Sequence, residues 1–210
     1  MNTTHTKPLI ALIAAAFILT SCGGALSSTI DVKSGTAKIV YAEALKLGQF
    51  AYPAAYLIGY NNHGNTFERP TSVPPKHETS GATGTWFYLF AKDRNMLTDG
   101  TLTDDETFGV EFKAGTVSVN EHVALGDYTV TSDVLFGTDL LAFDSDALYT
   151  KALEAITKKA PVGLKPLHVD FRITPGVSEV TLFTTTGSGY TARFDMKKGE
   201  VTNVDQISLG

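Results

Sequence analysis

Apolar positions along the chain fall into three patterns, and each predicts a different kind of element. Residues 9–19 read LIALIAAAFIL without a polar side chain. A helix that crosses a hydrocarbon core of roughly 30 Å needs about 20 apolar residues, so this run is too short to span. With Lys7 ahead of it, it has the layout of an export signal. The second pattern is helical. Val40, Ala44 and Leu47 share a stripe over residues 37–47, and Pro53 predicts the start of a second short helical segment ending near Gly59. The clearest helix lies at 144–158, where Asp144 or Ser145 can cap a stripe of Leu148, Ala152, Ala155 and Ile156, and Pro161 stops it. The third pattern is period two. Val169, Phe171 and Ile173 alternate with Asp170 and Arg172, a turn at 174–176 leads to a strand over 178–184, and Ala192, Phe194 and Met196 alternate with Arg193 and Asp195. In the first half, strands are predicted at 86–90, 108–112 and 116–119.

A one-sided helix followed by an antiparallel meander buries one apolar stripe on one apolar sheet face. The expected class is therefore α+β, with two helix-on-antiparallel-sheet units in tandem. The stretch GVEFKAGTVSV at 109–119 resembles ARFDMKKGEVTNV at 192–204, which supports a duplication. The expected organisation is a signal peptide at 1–21, a lipidated cysteine and flexible Gly/Ser-rich tether at 22–35, an N-terminal unit at 36–143 with a long loop at 59–85, and a C-terminal unit at 144–210.

Leu19, Thr20, Ser21 and Cys22 follow the apolar run directly. They resemble the lipobox of bacterial lipoproteins, which implies that Cys22 receives a diacylglycerol and further acyl chains such as palmitate before anchoring the protein. Two or more chains give stable anchoring where one gives only marginal binding. Gly23, not Asp, follows the cysteine, which in that family implies sorting to the outer membrane of the cell envelope, facing the periplasm. Cys22 is the only cysteine, so the mature fold is held by its core without an internal disulfide. The chain carries 17 Lys and Arg against 22 Asp and Glu. That balance, with no basic cluster larger than a Lys pair, argues against nucleic acid as a partner.

The C-terminal unit, closing on FDMKKGEV, resembles a PepSY-type domain. AEALKLGQFAYPAAYLIGY together with the strand WFYLF is similar to the first unit of tandem PepSY-like lipoproteins. The resemblance implies binding, including inhibition of secreted peptidases, and supplies no catalytic residues. A second helix-plus-antiparallel-sheet group of envelope proteins, including outer-membrane assembly lipoproteins, fits the same layout, and fold analogy does not choose between their functions.

Candidate chemistry is sparse. HExxH, Walker-type, GxSxG and paired CxxC motifs are absent from the sequence. His63, His77, His122 and His168 lack ligand spacing. Asp99, Asp104, Asp105 and Glu106 form the densest acidic cluster, a weak metal candidate that reads better as a solvated turn. The long loop at 59–85, with Asn61 and Asn62, is a candidate contact surface. Trp86, Tyr88 and Phe90 share one face of a strand and read either as core or as an aromatic platform for a partner. The expected function is thus that of a membrane-anchored lipoprotein, not an enzyme and without cofactor, that binds a protein or peptide. The alternatives are a structural or assembly lipoprotein and, behind it, a carboxylate-dependent hydrolase.

Overall fold

The computed structural model describes residues 26–65, 78–95, 102–121, 123, 137–160, 162–174, 176–185 and 187–208. The signal at 1–21 and Cys22 therefore lie outside the described residues.

Among the described residues, nine strands form one antiparallel sheet: β1 (Ser27–Thr29), β2 (Tyr56–Asn61), β3 (Thr85–Ala91), β4 (Thr107–Lys113), β5 (Thr116–Asn120), β6 (His168–Thr174), β7 (Val177–Phe183), β8 (Ser188–Asp195) and β9 (Glu200–Ser208). Their order across the sheet is β1-β5-β4-β3-β2-β6-β7-β8-β9. Two helices, α1 (Ala37–Ala51) and α2 (Ser145–Thr157), pack on one face of it.

This corrects the expected fold class. Over the described residues the chain is mainly β: two α-helices on one continuous sheet rather than an α+β pair of helix-on-sheet units in tandem. The segment after Pro53 explains the difference. It is not helical; Tyr56–Asn61 is a strand, and every residue from Leu57 to Asn61 is buried. A strand covered on both faces shows neither alternation nor a clean helical stripe. Its second edge pairs with β6 through Tyr60 with Ile173 and Asn61 with Arg172. Two separate sheets would each leave such an edge unpaired, with its backbone groups exposed.

The seam between the halves is completed by a side chain. Beyond Asn61 the β2 backbone leaves the ladder, and the Asn62 amide takes its place. Its Nδ2 donates to the carbonyl of Val169 at 2.9 Å, and its Oδ1 accepts from the N–H of Phe171 at 2.8 Å. The N–H of Val169 then donates to the carbonyl of Glu78 at 2.6 Å. Buried backbone groups need partners, and here a carboxamide, which carries both a donor and an acceptor, supplies two at once.

The helix stripes behave as their sequence spacing implies. Val40, Ala44 and Leu47 of α1 and Leu148, Ala152 and Ile156 of α2 are buried in one core with Trp86, Tyr88, Phe90, Phe171, Val180 and Leu182. The helices start side by side and share their capping groups. Asp144, the N-cap of α2, accepts from the N–H of Ser145 at 2.8 Å, the N–H of Lys38 at 3.0 Å and the Thr36 hydroxyl at 2.6 Å. Ser145 Oγ accepts from the N–H of Ala37 at 2.9 Å and donates to the carbonyl of Gly81 at 2.5 Å. One carboxylate thus serves the positive ends of two helix dipoles. Gly81 is required at this contact, because a Cβ there would overlap the backbone of Asp146.

The tether expected over 22–35 is structured on its described side. Ser27–Thr29 pairs with β5, and the N–H of Ile30 donates to the carbonyl of Gly115 at 2.8 Å.

Candidate functional site

The face opposite the helices divides by half. Around β2 and β3 it is apolar, with Ile58, Phe87 and Leu89 fully buried. Across β6, β7 and β8 the outward positions are instead polar, and antiparallel register sets them in rows. Arg172 faces Glu179, and Glu179 faces Arg193. Directly opposed side chains on one face lie close enough to interact, so this register builds an ion-pair row. Arg172 Nη2 donates to Glu179 Oε2 at 2.8 Å and Arg193 Nε donates to Oε1 at 3.0 Å. Arg193 Nη1 also lies 3.5 Å from Asp205 Oδ2 on β9.

The Glu179 side chain is 6% exposed and that of Arg193 52%. A carboxylate buried to that degree is tolerated because it is paired. Arg193 is the solvent-facing member, and its hydrogen bond to Glu179 raises its pKa above the ordinary arginine value. These side chains line a groove of about 670 Å³ together with Val177, Ser178, Phe194 and Thr202. Thr202 enters it because the β8–β9 register shifts beside it, at Arg193 and Phe194. A bulge re-aims side chains in this way.

The next row holds Asp170, Thr181 and Thr191, all buried. Asp170 Oδ1 lies 2.5 Å from His63 Nδ1, and Thr181 Oγ1 lies 2.8 Å from Thr191 Oγ1. His168 Nδ1 accepts from the N–H of Glu78 at 3.0 Å, which leaves the ring proton of the neutral form on Nε2. Spacing had kept His63 and His168 apart. The β2–β6 pairing brings His63 onto Asp170 of β6, the strand that His168 begins.

No family model, no curated protein and no solved structure matches the chain.

The candidates drawn from the sequence divide sharply. Trp86, Tyr88 and Phe90 come together beneath α1, each with no exposed surface. The open-platform reading of this trio is corrected: Trp86 Nε1 donates to the carbonyl of Gly35 at 2.7 Å and the Tyr88 hydroxyl to that of Ala37 at 2.5 Å, tying the start of α1 to the sheet. Asn61 and Asn62 are also buried and structural. Asn61 Oδ1 accepts from the N–H groups of His63 and Gly64, both at 3.0 Å, and Asn62 closes the seam. As contact residues both are corrected, since neither side chain faces solvent. The described ends of the 59–85 loop are bonded into the fold, with Gly35 and Thr83 exchanging two backbone hydrogen bonds at 3.0 Å.

Asp104 and Asp105 lie exposed on a turn, and Glu106 Oε2 accepts from the N–H of Thr103 at 2.8 Å, a capping role. Asp99, His77 and His122 lie outside the described residues. Among the described residues no three His, Cys, Asp or Glu side chains are grouped to hold a metal ion. Sequence reading missed Glu179, Arg193 and Asp205. Their signal was available only in part: charged residues at alternate positions mark an outward face, but not that one of them is buried.

Chemically the groove is suited to recognition. Two guanidinium groups occupy both carboxylate oxygens of Glu179, through which a general base would act. The accessible donor is the outer edge of Arg193, beside Val177, while the Thr202 hydroxyl already donates to the carbonyl of Arg193 at 3.2 Å. That combination fits a carboxylate or carbonyl with an adjoining apolar group.

Proposed function

We propose that the chain is an envelope lipoprotein, held to a membrane through acyl chains on Cys22, whose sheet serves as a non-catalytic binding surface for a protein or peptide. The membrane part rests on the apolar run followed by LTSC in the sequence. No helix among the described residues is long and apolar enough to cross a membrane. In this reading the lipid is the means of attachment. The observation that carries the binding part is the groove at Arg193. It places an exposed cation beside Val177 and the bulge at Thr202, next to β9, a nine-residue strand at the end of the sheet order. An extended segment laid there can use the strand's backbone for affinity and the groove for selectivity. The PepSY-like sequence resemblance points to the same class of role, with a secreted peptidase as one partner.

A photoreactive amino acid at Thr202, activated in intact cells, tests this reading. It should give a discrete protein adduct that Arg193→Glu abolishes and that the same probe at Thr150, on the exposed side of α2, does not give. Equal adducts from both positions, or none, would refute it.

A further inference from the structure

The point at which the N-terminal segment enters the fold is well defined. The carbonyl of Leu26 accepts from the N–H of Val119 at 2.8 Å, so the chain arrives beside the last residues of β5. Cys22 is four residues earlier. Fully extended chain covers at most about 3.6 Å per residue, so an acylated Cys22 lies no more than about 14 Å from Leu26. A lipid anchor on so short a lead holds this corner of the molecule against the bilayer.

The same corner is where α1 ends. Tyr52, its C-cap, donates its hydroxyl to Glu121 Oε2 at 2.6 Å, one residue past β5, and its ring packs 4.7 Å from that of Phe108 at the start of β4. Phe50 is 60% exposed, the more exposed of the two large apolar side chains left uncovered on α1. Pro53 and Ala54 are exposed beside it and Ala51 is half-buried. Two cations flank this apolar knuckle. Lys46, one helical turn before Phe50, pairs with Glu43 at 2.6 Å but stays exposed, and Lys92 Nζ, which donates to the carbonyl of Asp105 at 2.7 Å, lies 5.1 Å from the Tyr52 ring centre. Aromatic side chains with neighbouring lysines favour the boundary between headgroups and acyl chains.

We infer that the C-terminal corner of α1 rests on the phospholipid surface, with Phe50 inserted among the headgroups, so that the lipid anchor and a protein face together fix the orientation of the sheet. This rests on the lipidation of Cys22. The occupant is the bilayer that the anchor enters, because a lead of four residues keeps this corner within about 14 Å of the anchored cysteine.

The full lipidated chain in phosphatidylglycerol and phosphatidylethanolamine vesicles provides the test. Cys22 is the only native cysteine and its thiol is blocked by lipid, so Gln49→Cys and Thr185→Cys each offer one site for an environment-sensitive fluorophore. Thr185 lies in the β7–β8 turn, five strand positions from β5, or about 24 Å across the sheet. Headgroup-spin-labelled lipid should quench the probe at 49 several-fold more than the probe at 185. Phe50→Ser should reduce quenching at 49 while melting stays unchanged, since the side chain is exposed. Equal quenching at the two positions in vesicle-bound protein would overturn the orientation while leaving the anchor intact. Protein that carries no lipid and stays in solution would overturn the anchor, and the orientation with it.

Discussion

Replacing Asp144 by alanine removes one carboxylate from the start of two helices at once. Loss of an N-cap side chain costs about 1 kcal/mol for α2 alone. The N–H of Lys38 and the hydroxyl of Thr36 also lose their acceptor, and hydrogen bonds to a charged group contribute about 1.5–3 kcal/mol when well shielded. Asp144 is only half-buried and water can replace part of the loss, so a total near 3 kcal/mol is expected. For a domain of this size each kcal/mol corresponds to roughly 2–4 °C, giving a fall in melting temperature of about 6–12 °C. Asp144→Asn, which keeps the acceptor oxygen on the two N–H groups, should cost about 1 kcal/mol. Thermal and urea unfolding of the two variants and of Thr36→Ala with Asp144→Ala closes the comparison. Because Thr36 and Asp144 touch across a separation of 108 residues, their effects should couple by at least about 0.5 kcal/mol. A loss below about 1 kcal/mol for the alanine variant, or strict additivity with Thr36→Ala, would mean that each helix is capped independently and the shared junction is not stabilising.

Two further substitutions probe the sheet. Asn62→Ala should destabilise by about 2–4 kcal/mol, because it strands the carbonyl of Val169 and the N–H of Phe171 in a buried seam, and each such group costs about 1–3 kcal/mol; hydrogen exchange at Phe171 should accelerate with the loss, and an unchanged exchange rate there would argue against the seam. Tyr60→Phe should be neutral or stabilising by up to about 1 kcal/mol, since its hydroxyl is buried and has no hydrogen-bond partner among the described residues. Burial drives the phenol pKa of Tyr60 well above its usual value, so its stability contribution stays flat across physiological pH; a clear destabilisation by Tyr60→Phe in urea melts would reveal a bound water or other partner for the hydroxyl.

Much of the secondary structure was legible in the chain. A cap at Asp144 or Ser145 was recognisable, of which Asp144 takes the role, and the strands that hold Trp86, Val110 and Phe171 follow from their apolar runs, alternation and flanking turn residues. What periodicity does not carry is how elements pair. Tyr56–Asn61 has apolar residues on both faces, so its type was ambiguous, and with it went the seam that merges the two halves into one sheet. The candidate contacts failed for a related reason. Trp86 and Tyr88 carry polar atoms that suit an interface equally well as a core, and only the carbonyls of Gly35 and Ala37 above them decide the matter. Asn62 reads as a loop residue from composition, yet its amide completes a ladder that sequence spacing cannot reveal. Arg172, Glu179 and Arg193 are ordinary charged strand residues until register aligns them in one row.

The proposed envelope location and the proposed orientation on the bilayer both depend on the chemical state of Cys22. Intact-mass measurement of the protein extracted from membranes tests this directly. The account predicts a chain that begins at Cys22 and carries the added mass of a diacylglyceryl group with further acylation. A chain that retains residues 1–21, or one that begins elsewhere with Cys22 as a free thiol, would contradict it.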